Sequence, residues 1–212
     1  MKYMGMPWGM WAVFKQSFQR QLTDTFGYSA EEAKGIMRTA KPTYQSIIGE
    51  MPEFESGDRF KMNLVNCAMI GAVILAMPQR PDVERLTTFY AKSMMTPAMR
   101  WFCRKSGKQK FTEKDIQNMK FSAQLKAADR NPYSWNLEYH EYPDGSGYEA
   151  RFTQCGICQL MKKLGLYDLT PALCHLDYDM TEAGEAADFV REYTLASGGP
   201  YCDCGYKKKQ AK

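Results

Sequence analysis

The chain has 212 residues, with 28 Lys plus Arg against 24 Asp plus Glu and a formal net charge of +4. The segment Lys207 to Lys212 holds four lysines and no acid, so the remainder is neutral. The basic face by which a protein holds nucleic-acid phosphates is therefore not expected, and the tail is read as a solvated terminus. Hydrophobic residues make up 44% and aromatic residues 13%, enough for a core and too much for global disorder. The longest apolar run, Leu64 to Met77, contains Asn66 and falls short of the about 20 residues a membrane span needs. The N-terminus carries no secretory pattern. A cytoplasmic setting with reduced thiols and no membrane partner is expected.

The first 130 residues read as helices. Trp8, Trp11, Phe14, Phe18 and Leu22 recur at helical spacing and end before Gly27. This aromatic stripe is expected to be core, with a homo-oligomer interface as the other use. Ser29-Ala-Glu-Glu32 is a capping box that opens a second helix. Residues near 58 to 77 form the most apolar helix, stopped by Pro78. Asp82 to Lys105 continues at helical spacing, with a kink or break at Pro97. Thr112-x-x-Asp115 starts a further helix running to about Asp129.

The pattern then changes. Trp135 to Tyr142 alternates, Pro143 to Gly147 turns, and Tyr148 to Thr153 alternates again, which predicts a β-hairpin. Cys155 to Leu164 reads as a short helix ending at Gly165. Ala172 to Tyr178 looks strand-like, residues 179 to 187 read as a polar loop, and Phe189 to Ala196 reads as a strand. Ser197 to Pro200 turns it, and Tyr201 to Lys207 pairs back. The expected class is α+β. Residues 1–212 are expected to form one domain, with a helical subregion (1–130) packed on a small antiparallel sheet (131–207).

Five of the seven cysteines fall in the second half. Cys67 and Cys103 read as small core hydrophobes. Cys155-Gly-Ile-Cys158 opens a helix, where free N–H groups and the dipole lower a thiol pKa. Cys174-His175-Leu-Asp177 puts a thiol, an imidazole and a carboxylate within four residues. Arg191 and Thr194 follow on the predicted strand, Gly198 in its turn, and Cys202-Asp203-Cys204 on the last segment. Two readings without hydrolysis stand beside catalysis. One is a zinc- or small-ligand-binding domain using Cys155, Cys158, Cys174 and Cys202, with His175 or Cys204 as substitutes. The other is a thiol redox protein using Cys155 and Cys158. No cofactor is otherwise expected.

The string Phe152-Thr-Gln-Cys155, Leu164-Gly165, Cys174-x-x-Asp177 and Arg191-x-x-Thr194-x-x-x-Gly198-x-x-x-Cys202-Asp203-x-x-Tyr206 resembles the L-2-amino-thiazoline-4-carboxylic acid hydrolase family over about residues 135 to 206. Cys158 and Cys204 are thiols beyond the pattern. The resemblance implies an enzyme that hydrolyses a small cyclic amidine at a carbon–nitrogen bond. Water adds to C2, the ring opens, and carbamoyl-cysteine leaves on the way to cysteine. An anionic small-molecule substrate asks for a guanidinium, for which Arg191 is the candidate, with a structural ion pair as its other use. Thr194 and Gly198 join it as expected substrate contacts. A protonated amidine asks for Asp177 or Asp203. A thiolate nucleophile would be Cys174 or Cys202, with Cys155 nearby. On extended segments adjacent side chains oppose one another, so one of Cys202 and Asp203, and one of Cys174 and His175, is expected to face away.

Overall fold

The computed structural model describes residues 7–54, 58, 60–127 and 131–209. The expected helix end near Asp129 and the last three residues of the lysine-rich tail lie outside them. The architecture is α+β, with a four-stranded antiparallel sheet confined to the C-terminal half. The chain divides into two compact units, 1–94 with 156–173 and 95–155 with 174–212.

The first unit is helical. It contains α1 (Pro7–Phe26), α2 (Ala30–Gly49), α3 (Lys61–Ala76), α4 (Val83–Met94) and α7 (Gly156–Lys163). The capping box opens α2: Ser29 Oγ accepts the Glu32 N–H, and the Glu32 carboxylate accepts the Ser29 N–H at 2.8 Å. The apolar run makes α3 buried along nearly its whole length, from Leu64 to Ile74, as a helix that is hydrophobic all round must be. Gly71 is where α3 meets the segment after α7, since a Cβ there would lie 2.7 Å from Leu164 Cδ1. Trp11, Phe14 and Phe18 of α1 are core, while Trp8 is exposed.

The second unit holds α5 (Pro97–Gly107), α6 (Glu113–Ala127), β1 (Glu138–Glu141), β2 (Gly147–Phe152), α9 (Leu176–Gly184), β3 (Ala187–Val190) and β4 (Cys202–Lys208). Thr96 caps α5 directly before Pro97, so the Pro97 signal is a full break between α4 and α5. The hairpin forms as β1–β2, with Tyr139 opposite Ala150. The last strand inserts between its partners, giving the order β1-β2-β4-β3. Tyr148 pairs with Tyr206, Ala150 with Cys204, and Phe152 with Cys202.

Three local expectations differ from the structure. The segment 172–178 is helical: α8 (Thr170–Cys174) is followed at once by α9. Pro171 falls in the first turn of α8, where a missing N–H costs nothing. Asp177 and Asp179 fall in the first turn of α9, where carboxylates suit the helix dipole. The polar stretch after Tyr178 is helix as far as Gly184. The predicted strand over Phe189 to Ala196 stops at Val190, because the Asp203 carboxylate takes the N–H groups of Glu192 and Tyr193 at 2.8 and 2.6 Å. These groups are thereby removed from any ladder.

Helices α5 and α9 approach backbone to backbone. A Cβ on Gly107 would lie 1.9 Å from the Gly184 carbonyl oxygen, and backbone cannot yield as a flexible side chain can. Gly107→Ala is expected to destabilise the protein by about 1–3 kcal/mol in urea unfolding. A loss under ~0.5 kcal/mol would show that the close approach is not required.

Candidate functional site

The second unit brings most of the predicted residues to one side of the sheet. Strand parity puts Tyr148, Ala150 and Phe152 of β2 on the same face as Cys202, Cys204 and Tyr206 of β4, with Phe189 of β3 beside Tyr206. Helix α9 covers the β3 edge of this face, where Tyr178 meets Phe189 edge-on with ring centres 4.8 Å apart. At the other edge the Tyr148 hydroxyl donates to Asp115 Oδ2 at 2.7 Å.

Arg191 stands at the centre. It leaves the sheet one residue after β3, and its side chain is only 6% exposed. Nη1 donates to the carbonyl of Cys174 at 3.0 Å. Nη2 donates to Asp177 Oδ2 at 2.5 Å and to Cys204 Sγ at 2.8 Å. The guanidinium carbon lies 4.6 Å from the Phe189 ring centre and 5.9 Å from that of Tyr178. Burial works against its charge, but Asp177 and Cys204 outweigh that and hold its pKa above the ordinary value. The ion pair with Asp177 is thus formed. Asp177 itself is 45% exposed, so one carboxylate oxygen is pinned while the group faces outward.

Three thiols surround this charge. Cys174, the last residue of α8, is partly exposed. Cys202 and Cys204 are buried. Burial raises the Cys174 thiol pKa, neighbouring Cys155 and Asp177 raise it further, and Arg191 pulls it down. Burial also raises Cys202, against the Leu195 N–H that donates to its sulfur at 3.2 Å. Cys204 is pushed up to about 12, mainly by burial and then by Asp177, with Arg191 opposing. Cys155, partly exposed, is close enough to act electrostatically on both Cys174 and Cys202. None of the seven cysteines is in a disulfide.

The structure therefore gathers Cys155, Cys174, Asp177, Arg191 and Cys202. It adds Cys204, which the sequence reading set apart as an extra thiol. The available signal was its i, i+2 spacing from Cys202 on a strand. Asp203 is not in this group: it lies on the opposite face, across from Arg151, and ties the chain after β3. Thr194 and Gly198 frame the 3-10 turn Leu195–Ser197. Thr194 Oγ1 accepts the Ser197 N–H at 3.1 Å, and Gly198 closes the turn at φ +81°. That turn presents the Leu195 N–H to Cys202. Cys158 is buried in α7. His175, at the start of α9, faces Asp179 Oδ2 through Nδ1 at 3.6 Å. Among the described residues no three His, Cys, Asp or Glu side chains are grouped to hold a metal ion, and no helix is long and apolar enough to cross a membrane.

A family model described as L-2-amino-thiazoline-4-carboxylic acid hydrolase matches residues 62–206. The match starts in α3, well before the C-terminal motif string, and takes in every residue of the cluster. Searches of curated proteins and of solved structures returned no match.

Two measurements follow from the geometry. A thiol whose folded pKa lies above its ordinary 9.0 favours folding below pH 9, and that contribution is lost as pH rises through the folded value. The melting temperature is expected to fall above pH 9, and Cys204→Ala to flatten the fall. An equal slope in the variant would contradict the burial of that thiol. Asp203→Asn weakens the two backbone hydrogen bonds after β3. It is expected to cost about 1–2 kcal/mol by denaturant titration, and no loss would mean that this tie does not hold the loop.

Proposed function

The chain belongs to the L-2-amino-thiazoline-4-carboxylic acid hydrolase family, and from that premise we propose that the cluster around Arg191 opens a small cyclic amidine by hydrolysis. The observation that supports this reading is a half-exposed carboxylate, Asp177, fixed by a buried guanidinium beside a partly exposed thiol, Cys174.

Asp177 holds the protonated amidine of the substrate through the part of the carboxylate that faces outward. The bound amidinium brings a cation beside Cys174, which favours the thiolate in a site whose burial otherwise disfavours it. The Cys174 sulfur adds to the amidine carbon. Carbamoyl-cysteine keeps both carbon–nitrogen bonds of that carbon, so the bond that breaks is the one to the ring sulfur and not the carbon–nitrogen bond expected from the resemblance, and the ring sulfur leaves with the proton given up by Cys174. Water then adds to the same carbon, and Cys174 departs as a thiol. The amidine has become a urea and the ring sulfur a free thiol, which is carbamoyl-cysteine when the substrate is the amino-thiazoline acid. Cys202 and Cys204 are buried, and their sulfurs accept N–H groups, whereas Cys174 is partly exposed. Arg191 acts as a positioning residue: it orients Asp177 and supplies the positive charge that opposes the effect of burial on the thiols.

Purified protein incubated with 2-amino-thiazoline-4-carboxylate is expected to release one thiol per turnover, faster as pH rises from neutral toward 9. Cys174→Ser and Asp177→Asn are each expected to lower kcat/KM by at least ~10². Cys67→Ser, in the helical unit, leaves it unchanged. No thiol release at any pH would remove this substrate, and full activity in Cys174→Ser would remove the covalent route.

A further inference from the structure

Helix α9 carries Asp177 in its first turn and ends at Gly184, about 10 Å further along its axis at 1.5 Å per residue. That far end meets the last turn of α5 and borders a cleft of about 580 Å³ lined by Trp101, Arg104, Lys105, Lys108, Gly184 and Glu185. The volume lies within the ~300–1,000 Å³ of small-molecule sites.

Charge is concentrated there. Two helix C-termini converge on the cleft, and their carbonyl ends would by themselves repel an anion. The lining reverses this with three cationic side chains, Arg104, Lys105 and Lys108, against the single carboxylate of Glu185. Among the described residues none of the three is ion-paired to a carboxylate. The chain outside its tail is neutral, so this surplus is local. Beside the cations Trp101 is 59% exposed, with Lys105 Nζ 5.3 Å from its ring centre. An indole left in water next to cations that have no carboxylate partner among the described residues provides a planar apolar wall joined to an anion site.

We propose that this cleft binds a phosphorylated ligand carrying a planar ring, of the class of a nucleoside monophosphate. The surplus of positive charge matches a phosphate dianion, the Arg104 guanidinium can take two of its oxygens at once, and the base stacks on the Trp101 indole. This site is separate from the one around Arg191 and does not depend on the hydrolytic reading.

Calorimetric titration of the full chain with adenosine monophosphate, inorganic phosphate and adenosine tests it. One saturable site is expected for the nucleotide, at least ~10-fold tighter than for phosphate or adenosine alone, and weaker at higher salt. Arg104→Gln with Lys108→Gln is expected to weaken the nucleotide at least ~10-fold, and Trp101→Leu to bring it down to the affinity of phosphate. All three side chains are exposed, so the variants fold, which circular dichroism checks. Cys174→Ser binds as the parent does. Absence of saturable nucleotide binding, a nucleotide no tighter than phosphate, or binding indifferent to either set of substitutions would overturn the proposal.

Discussion

A guanidinium removed from water must be given its counter-charge and its acceptors, and Arg191 organises the second unit around that requirement. Leaving such a charge without partners costs several kcal/mol, so the segments that supply acceptors are held in place by it. The carbonyl at the end of α8, the carboxylate in the first turn of α9 and the sulfur of Cys204 on β4 all converge on one side chain. The rings of Phe189 and Tyr178 close over it. The junction of α8 and α9, which carries Cys174, is thereby fixed against the sheet. Because Asp177 is half-exposed, the pair itself adds less to stability than a fully buried one would. Its consequence is geometric: it fixes a carboxylate beside a thiol while leaving the carboxylate reachable.

Strand parity decides which groups share this environment. Cys202 and Cys204 are two residues apart on β4 and face Arg191 together. Asp203 between them faces the other way and is used to end β3. The same β4 segment thus builds the inner face of the site and, from its back, turns the chain so that Arg191 can enter. The 3-10 turn framed by Thr194 and Gly198 completes the wall by offering an N–H to Cys202.

The α+β class, the capping box at Ser29, the break at Pro97 and the hairpin were legible in the sequence because each rests on local chemistry: a cap, a missing N–H, an alternation. The cluster Cys155, Cys174, Asp177, Arg191 and Cys202 was legible through the ordered family motif. What was not legible depended on distant partners. The segment from Ala172 to Tyr178 is too short for its periodicity to separate strand from helix, and its helical state follows from Pro171 and the acidic first turn of α9. The early end of β3 is set by Asp203, a dozen residues downstream. Arg191 reads in sequence as a carboxylate clamp or an ion pair, and only the fold brings Asp177 and Cys204 to it.

In the proposed mechanism Cys174 is the thiol that reacts at an amidine carbon held by Asp177. Intact-mass measurement on protein quenched during turnover of the amino-thiazoline acid, followed by peptide mapping, tests this most directly. A mass gain equal to the whole substrate is expected, located on the peptide that contains Cys174 and lost in Asp177→Asn. An adduct on Cys155 or Cys202, or steady turnover with unmodified protein in every quench, would contradict it.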